Sequence, residues 1–195
     1  MRKNIIVGLA TATVLLAACS NANNSSTDKE NDSVRSIVSN TDTATTAAPV
    51  ASVSIKDILD NYLQMKNAFA KDNDKDAAAA GNAMVTAFAN FNTASLNETQ
   101  SKMYNDIQDD AKEHAEHIGA NAGNIKHQRE HFDMLSKDIY QLVKTFGGGQ
   151  TLYYDHCPMY NDGKGADWVS ETKEIINPYL GKSMPACGTV KEELK

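Results

Sequence analysis

The sequence lacks the short motifs on which the commonest enzyme chemistries depend. No GxSxG nucleophile turn, HExxH zinc motif, P-loop or Rossmann glycine fingerprint occurs in it. The CxxCH motif is missing too, which excludes a covalently attached c-type haem. We therefore expect that the protein is not an enzyme.

Positive charge and aromatic residues are also scarce. The net charge is −6 at pH 7, which argues against a nucleic-acid partner on electrostatic grounds. Aromatic residues make up only 7% of the chain, and alanine-rich runs favour helices over sheets. The 195 residues, of which 41% are hydrophobic, suffice for one domain with one core.

The first residues have the pattern of a bacterial lipoprotein signal peptide, which we assign to residues 1–18. Two basic residues precede an apolar stretch, Ile5 to Ala18, that is shorter than the roughly 20 residues a spanning helix needs. The sequence LAACS at positions 16–20 resembles a lipobox, so Cys19 would be lipidated and become the N-terminus. The alternative is a plain secretory signal with a stray cysteine.

A lipid on Cys19 would tether the protein to a membrane surface without making it span the membrane. We expect a cell-envelope location, on the periplasmic side of the outer membrane, with surface exposure left open. Residues 20–52 are rich in Ser, Asn, Thr, Asp and Ala, and cannot bury enough apolar area to offset their chain entropy. Together with Cys19 they predict a disordered linker, 19–52, before a domain at 53–195.

The periodicity of apolar residues between positions 54 and 146 predicts four helices joined by short connections, and hence an antiparallel up-down bundle. Ser54, Asn73 and Asn97 are expected to cap the first three helices, and Gly147 to Gly149 to end the fourth. The segment that follows has turn chemistry and predicts a small irregular cap with one or two short strands, at Leu152–Tyr154 and Thr189–Val190.

Two histidine pairs lie on the predicted third and fourth helices. His114 and His117 are three residues apart, and His127 and His131 are four apart, so each pair shares one helix face. We expect His117 and His127 to be solvated and His114 to be a hydrogen-bonded residue at the edge of the core. His131 lies at the edge of the apolar stripe, so its side chain could point toward the bundle or toward the C-terminal cap. A haem or small-ligand site that uses His114 or His131 is a weaker alternative.

The C-terminal third carries two cysteines with methionines nearby. Met159 follows Cys157 by two residues, Met184 precedes Cys187 by three, and His156 adds an imidazole. Thiolate and thioether sulfurs are soft donors that suit Cu(I), whereas zinc is disfavoured because no CxxC pair is present. The alternative is a disulfide, which forms readily in exported proteins. A disulfide that closes a loop of about 30 residues stabilises the folded state by on the order of 3–4 kcal/mol.

Five stretches together resemble the DUF3347 family of Bacteroidetes lipoproteins and exported proteins, and a C-terminal module on CusB-type heavy-metal efflux adaptors. They are HFDMLSKDIYQLVKTFG from His131, YYDHCPM from Tyr153, NDGKGADWVS from Asn161, EIINPYLG from Glu174 and MPACG from Met184. The resemblance covers roughly Ile55 to Glu193 and is most specific over the last third.

This resemblance implies a helical bundle with a cysteine- and methionine-bearing cap, associated with copper or other heavy metals. Its sulfur positions match Cys157, Met159, Met184 and Cys187, and its histidine before the LS pair matches His131. We therefore expect a lipid-anchored protein that binds Cu(I) through these residues, with His131 or His156 completing the set, and that buffers the ion or passes it to an efflux partner. The alternative is a disulfide-stapled module that docks on an efflux complex without binding metal.

Overall fold

The computed structural model describes residues 53–195, so the predicted signal peptide, Cys19 and the linker lie outside the described residues. The described part is mostly helical, as the sequence predicts. Its long helices are α1 (Lys56–Ala70), α2 (Asp74–Ala89), α3 (Glu98–Ala120) and α4 (Ile125–Phe146). None of the helices in this part of the chain is long and apolar enough to cross a membrane.

Asparagine side chains fix where three of these helices begin. Asn73 accepts a hydrogen bond from the backbone N–H of the third residue of α2, and Asn124 does the same for α4. Asn97 forms a full capping box with Gln100 at the start of α3. The predicted cap at Ser54 is shifted by one residue: Ile55 occupies the N-cap position of α1, and the Ser54 hydroxyl accepts from the Lys56 N–H at 3.2 Å.

Consecutive helices pack against one another along the chain, and α4 also packs against the C-terminal sheet. This arrangement is compatible with the up-down bundle that the sequence predicts. An aromatic group joins α1 to α4 in the core: Phe132 stacks on Tyr62 with ring centroids 5.1 Å apart and meets Phe69 edge-on at the same distance. The Tyr62 hydroxyl bonds the Ser136 hydroxyl at 2.8 Å and accepts from the Val169 N–H at 3.1 Å, which ties both helices to the sheet.

The C-terminal segment contains three strands where the sequence predicts one or two. They are β1 (Leu152–Cys157), β2 (Ala166–Ser170) and β3 (Thr189–Leu194), antiparallel and in the order β2-β1-β3. The unpredicted strand is β2, whose five residues follow a turn rich in Asn, Asp and Gly. That turn is a short helical segment, Tyr160–Gly163, in which Asn161 and Asp162 adopt left-handed conformations.

Arg129 of α4 fastens the segment after β2 to the helices. Its Nε donates to the carbonyl of Pro178 at 2.8 Å, and its Nη2 donates to the carbonyl of Phe69 at 2.7 Å and to Asp72 Oδ1 at 2.6 Å. Asp72 also accepts from the backbone N–H of Lys182 at 3.1 Å. Because the guanidinium presents several donors in a fixed plane, one side chain fixes the end of α1 and the C-terminal segment together.

A buried ion pair joins α1 to the residue after β2. Lys66 is fully buried, and its Nζ donates to Glu171 Oε2 at 2.7 Å and to the Ser170 hydroxyl at 3.4 Å. Burial raises the pKa of Glu171, but hydrogen bonds from Lys66 and Asn67 outweigh it and hold the pKa below its usual value. The pair therefore holds the β1–β2 hairpin against the helices.

Candidate metal-binding sites

The two cysteines of the described residues meet in space. Cys157 is the last residue of β1, Cys187 lies 30 positions later, just before β3, and their Sγ atoms are 3.1 Å apart. Both are free thiols; Cys157 is buried and Cys187 is half-buried. The structure thus brings together the two residues that the sequence analysis assigned either to a metal or to a disulfide.

Asn177 holds the segment that returns Cys187 to the end of β1. Its side-chain Nδ2 donates to the Cys187 carbonyl at 2.6 Å, and its backbone N–H donates to the Pro185 carbonyl at 2.8 Å. Its Oδ1 accepts from the backbone N–H groups of Tyr179 and Leu180, each at 2.8 Å. Because Asn177 is fully buried, these bonds fix the turn that positions the second thiol.

The neighbourhood of Cys187 favours the protonated form of its thiol. The hydrogen bond to Cys157, burial and the charge of Cys157 together raise the pKa of Cys187, and a hydrogen bond from the Met159 backbone opposes the shift. Two thiolates this close would repel each other. A cation that binds both sulfurs must therefore displace protons, so its affinity will rise with pH.

The two methionines lie at the surface rather than in the core. Met159 is 56% exposed and Met184 is 37% exposed. The backbone of each approaches the second cysteine: the Met184 carbonyl accepts from the Cys187 N–H at 3.2 Å, and the Met159 N–H lies beside the Cys187 sulfur. Methionines that fill gaps in cores are buried. Their exposure therefore indicates that neither side chain serves to pack the core.

The structure does not bring His156 to the thiols, although the sequence-based ligand set contains it. His156 and Cys157 are consecutive in β1, and consecutive strand residues point to opposite faces of the sheet. The His156 Nδ1 instead lies 2.8 Å from Asp167 Oδ1 on β2, and Lys191 Nζ is 3.5 Å from the same oxygen. His156 therefore belongs to a polar group on the other face.

His131, the other imidazole of that ligand set, lies among three histidines. It stacks on His117 with ring centroids 4.2 Å apart and meets His127 edge-on at 4.6 Å. Its Nδ1 is 3.2 Å from the Nδ1 of His114. One ring nitrogen from each of His117, His127 and His131 lies within 4.8 Å of the other two, so these three could hold one metal ion.

The spacing of the histidines within each helix predicts two separate pairs, with His117 and His127 exposed to solvent. The overlooked signal is their distance from the connection between α3 and α4. In an antiparallel helix pair, residues equally far from the connecting loop face each other, and His117 and His127 are about as far from it on either side. His114 and His131 are the next such pair, one turn further away.

Burial and mutual repulsion keep two of these imidazoles neutral. Burial lowers the pKa of His131 to about 4, with contributions from His117, His127 and His114. Burial also lowers the pKa of His114. At neutral pH both rings therefore carry a free lone pair, which is the form that binds metals. Carboxylates border the group: Glu113 lies 3.7 Å from His117 Nε2, and Glu130 lies 3.4 Å from His127 Nδ1.

Comparison with known proteins gives one match. The model of the family described as "Protein of unknown function (DUF3347)" matches residues 58–151. No curated protein and no solved structure is detectably similar to the chain. The match covers α2, α3, α4 and most of α1, and therefore the histidine group, but ends before β1 and the thiol pair. The resemblance inferred from the sequence is thus confirmed over the helices, at residues 58–151.

Proposed function

We propose that this protein is a lipid-anchored, non-catalytic protein of the cell envelope that binds Cu(I) at the Cys157–Cys187 pair. The observation that supports this proposal is the approach of the two free Sγ atoms to 3.1 Å across 30 residues of chain. Soft thiolates select Cu(I) over the harder ions of the periplasm. The exposed thioethers of Met159 and Met184 are suited to add further soft ligands.

Binding would exchange protons for metal. The two thiols lose their protons to solvent and form two Cu–S bonds. The two thiolates with one bound Cu(I) then carry a net charge of −1. The buried Cys157 sulfur would anchor the ion, and the half-buried Cys187 and exposed Met159 would let it leave. Such a site suits buffering, or transfer to an efflux partner whose own thiolates or thioethers take over the ion.

The test is a titration of the reduced full chain with Cu(I) against a chromophoric chelator, with Cys19 replaced by Ser so that it cannot compete. We expect one equivalent of Cu(I) to bind, and this binding to disappear in the Cys157→Ser, Cys187→Ser double variant. Met159→Leu should weaken binding, whereas His156→Ala, next to Cys157 but on the other face, should leave it unchanged. Binding that survives the double variant would contradict the proposal.

The alternative function is an interaction module stapled by a Cys157–Cys187 disulfide, which docks on an envelope efflux complex. The same approach of the sulfurs supports it, because an oxidising compartment favours a bridge between thiols this close. Mass spectrometry under non-reducing conditions separates the two functions. A bridge that persists with copper and a mild reductant present supports the module, and its replacement by a copper adduct supports the metal site.

The membrane anchor is tested separately, because Cys19 lies outside the described residues. Metabolic labelling with a fatty acid should mark the wild-type protein and not the Cys19→Ser variant. An unlabelled wild-type protein would remove the anchor from the proposal and leave the metal site standing.

A further inference from the structure

Four of the five histidines of the chain converge where α3 joins α4. The donors come from both helices: His117 from α3, and His127 and His131 from adjacent turns of α4. Two histidines four positions apart on one helix present their rings to the same point, which is the spacing that helical metal sites use. A third ring from a neighbouring helix would complete a three-nitrogen set.

The separations of the donor atoms suit one ion after small side-chain rotations. Two nitrogens bound to one ion at about 2.0–2.1 Å are at most about 4.2 Å apart. The three ring nitrogens lie within 4.8 Å of one another. His127 has 35% and His117 has 44% of its side chain exposed, so both rings have room to close the remaining gap.

The fourth imidazole and the carboxylates lie where supporting groups of a metal site are found. When His131 donates its Nδ1 hydrogen to His114, its Nε2 lone pair is free to bind an ion. Glu130 lies against Nδ1 of His127, and Glu113 lies against Nε2 of His117, so each leaves the other ring nitrogen open. Such outer partners orient ligating imidazoles and supply negative charge beside a divalent cation.

We propose that His117, His127 and His131 form a second metal site, which binds one divalent ion of the borderline class, Zn²⁺, Cu²⁺ or Ni²⁺. His114 is a positioning residue that orients His131. Neutral imidazoles prefer these ions to Mg²⁺ or Ca²⁺, and Cu²⁺ should bind most tightly. The site is independent of the thiol pair, because none of its donors is a sulfur.

The test uses the full chain with all three cysteines replaced by Ser, so that no thiol competes for the metal. Calorimetric titration with Zn²⁺, and Cu²⁺ absorption in the visible range, should each give one equivalent. The His127→Gln, His131→Gln double variant should lose at least 100-fold in affinity. His114→Gln should lose on the order of 10- to 100-fold, the usual effect of removing an outer partner of a ligand.

His156→Gln is the matched control, because it removes the remaining histidine and should leave the affinity unchanged. Circular dichroism checks that each variant is folded, and imidazole resonances that shift on Zn²⁺ addition identify the ligands directly. Less than one equivalent bound by the folded parent, or equal binding in the double variant, would overturn the proposal. Since the thiols are absent throughout, neither outcome bears on Cu(I) binding at Cys157 and Cys187.

Discussion

Removing the charge of Glu171 should destabilise the domain far more than removing a surface carboxylate. Lys66 has no exposed side-chain area, while 29% of the Glu171 side chain is exposed. In Glu171→Gln the ammonium of Lys66 stays in the core without its hydrogen-bonded counter-ion. The Ser170 hydroxyl at 3.4 Å and the charge interaction with the buried Asp155 remain as weaker partners. Because Glu171 follows β2 directly and pairs with Lys66 of α1, losing the pair should also loosen the β1–β2 hairpin that carries Cys157.

The magnitude follows from the burial of the lysine. Breaking a buried ion pair by removing one partner costs about 3–5 kcal/mol, because an uncompensated charge is left behind. Glutamine keeps an acceptor oxygen and Glu171 is partly exposed, so we expect the low end, about 3 kcal/mol. The total free energy of unfolding of a domain of this size is about 5–15 kcal/mol. Lys66→Met removes the buried charge instead, so Lys66→Met alone and the Lys66→Met, Glu171→Gln double variant should each be only about 1 kcal/mol less stable than the wild type, the value of the lost hydrogen bonds.

Urea unfolding followed by far-ultraviolet circular dichroism measures these differences, provided that the slope of the transition is unchanged. The control is Asp106→Asn, which removes the partner of Lys102 in a pair with side chains 58% and 78% exposed. Such a surface pair contributes less than about 0.5 kcal/mol. A Glu171→Gln midpoint shifted no further than that of Asp106→Asn would refute the reasoning.

Three further predictions concern Arg129, a glycine in a turn and the histidines. Arg129→Lys should lower the unfolding free energy by about 2 kcal/mol, because an ammonium cannot reproduce the planar set of donors, and should speed thiol alkylation of the loosened segment. Gly181→Ala should cost more than Gly123→Ala in urea midpoint, because both have positive φ but only the former would drive a Cβ into Asp72. Burial and the neighbouring imidazoles lower the pKa of His131 to about 4, below its ordinary value near 6.5. Stability should therefore be full above pH 6.5 and fall as the pH drops toward 4, and the urea midpoint of His131→Gln should fall less over that range.

Much of the helical part could be predicted from sequence, because the signals there are local. Asn97, the predicted cap of the third helix, marks the start of a helix that the structure places at Glu98–Ala120. The strand β2 was missed for the opposite reason. Its sequence, ADWVS, does not alternate strictly between apolar and polar residues, and its pairing with β1 is a contact between segments that a turn separates.

The two candidate sites differ in how far sequence could foresee them. The approach of Cys157 and Cys187 depends on the hydrogen bonds of Asn177, a residue that in sequence is only part of an Asn-Pro turn. The chemistry of the two cysteines suggests from sequence that they form a pair, but their approach in space could not be predicted. The histidine group needed only the antiparallel packing of two helices, which was predicted, together with the distances of His117 and His127 from the loop. It was missed because each helix was considered alone.

Oxidation provides a test of whether the two sites share a ligand. They would share one if His131, rather than His156, completed the sulfur set of Cys157, Met159, Met184 and Cys187 that was inferred from the sequence. A thiol oxidant such as diamide removes two hydrogens from the Cys157–Cys187 pair and leaves a disulfide, so Cu(I) binding should be lost. Zn²⁺ binding at the histidines should keep its affinity, because the nearby groups that contact His131 are imidazoles. Chelator competition measures Cu(I) binding to the Cys19→Ser chain before and after oxidation. The imidazole resonances of His117, His127 and His131 measure Zn²⁺ binding at the histidines, so that Zn²⁺ held by the thiols alone is not counted. If oxidation weakened Zn²⁺ binding tenfold or more, the thiols and His131 would belong to one centre, and the sequence-based ligand set would be preferred to the two separate sites proposed above.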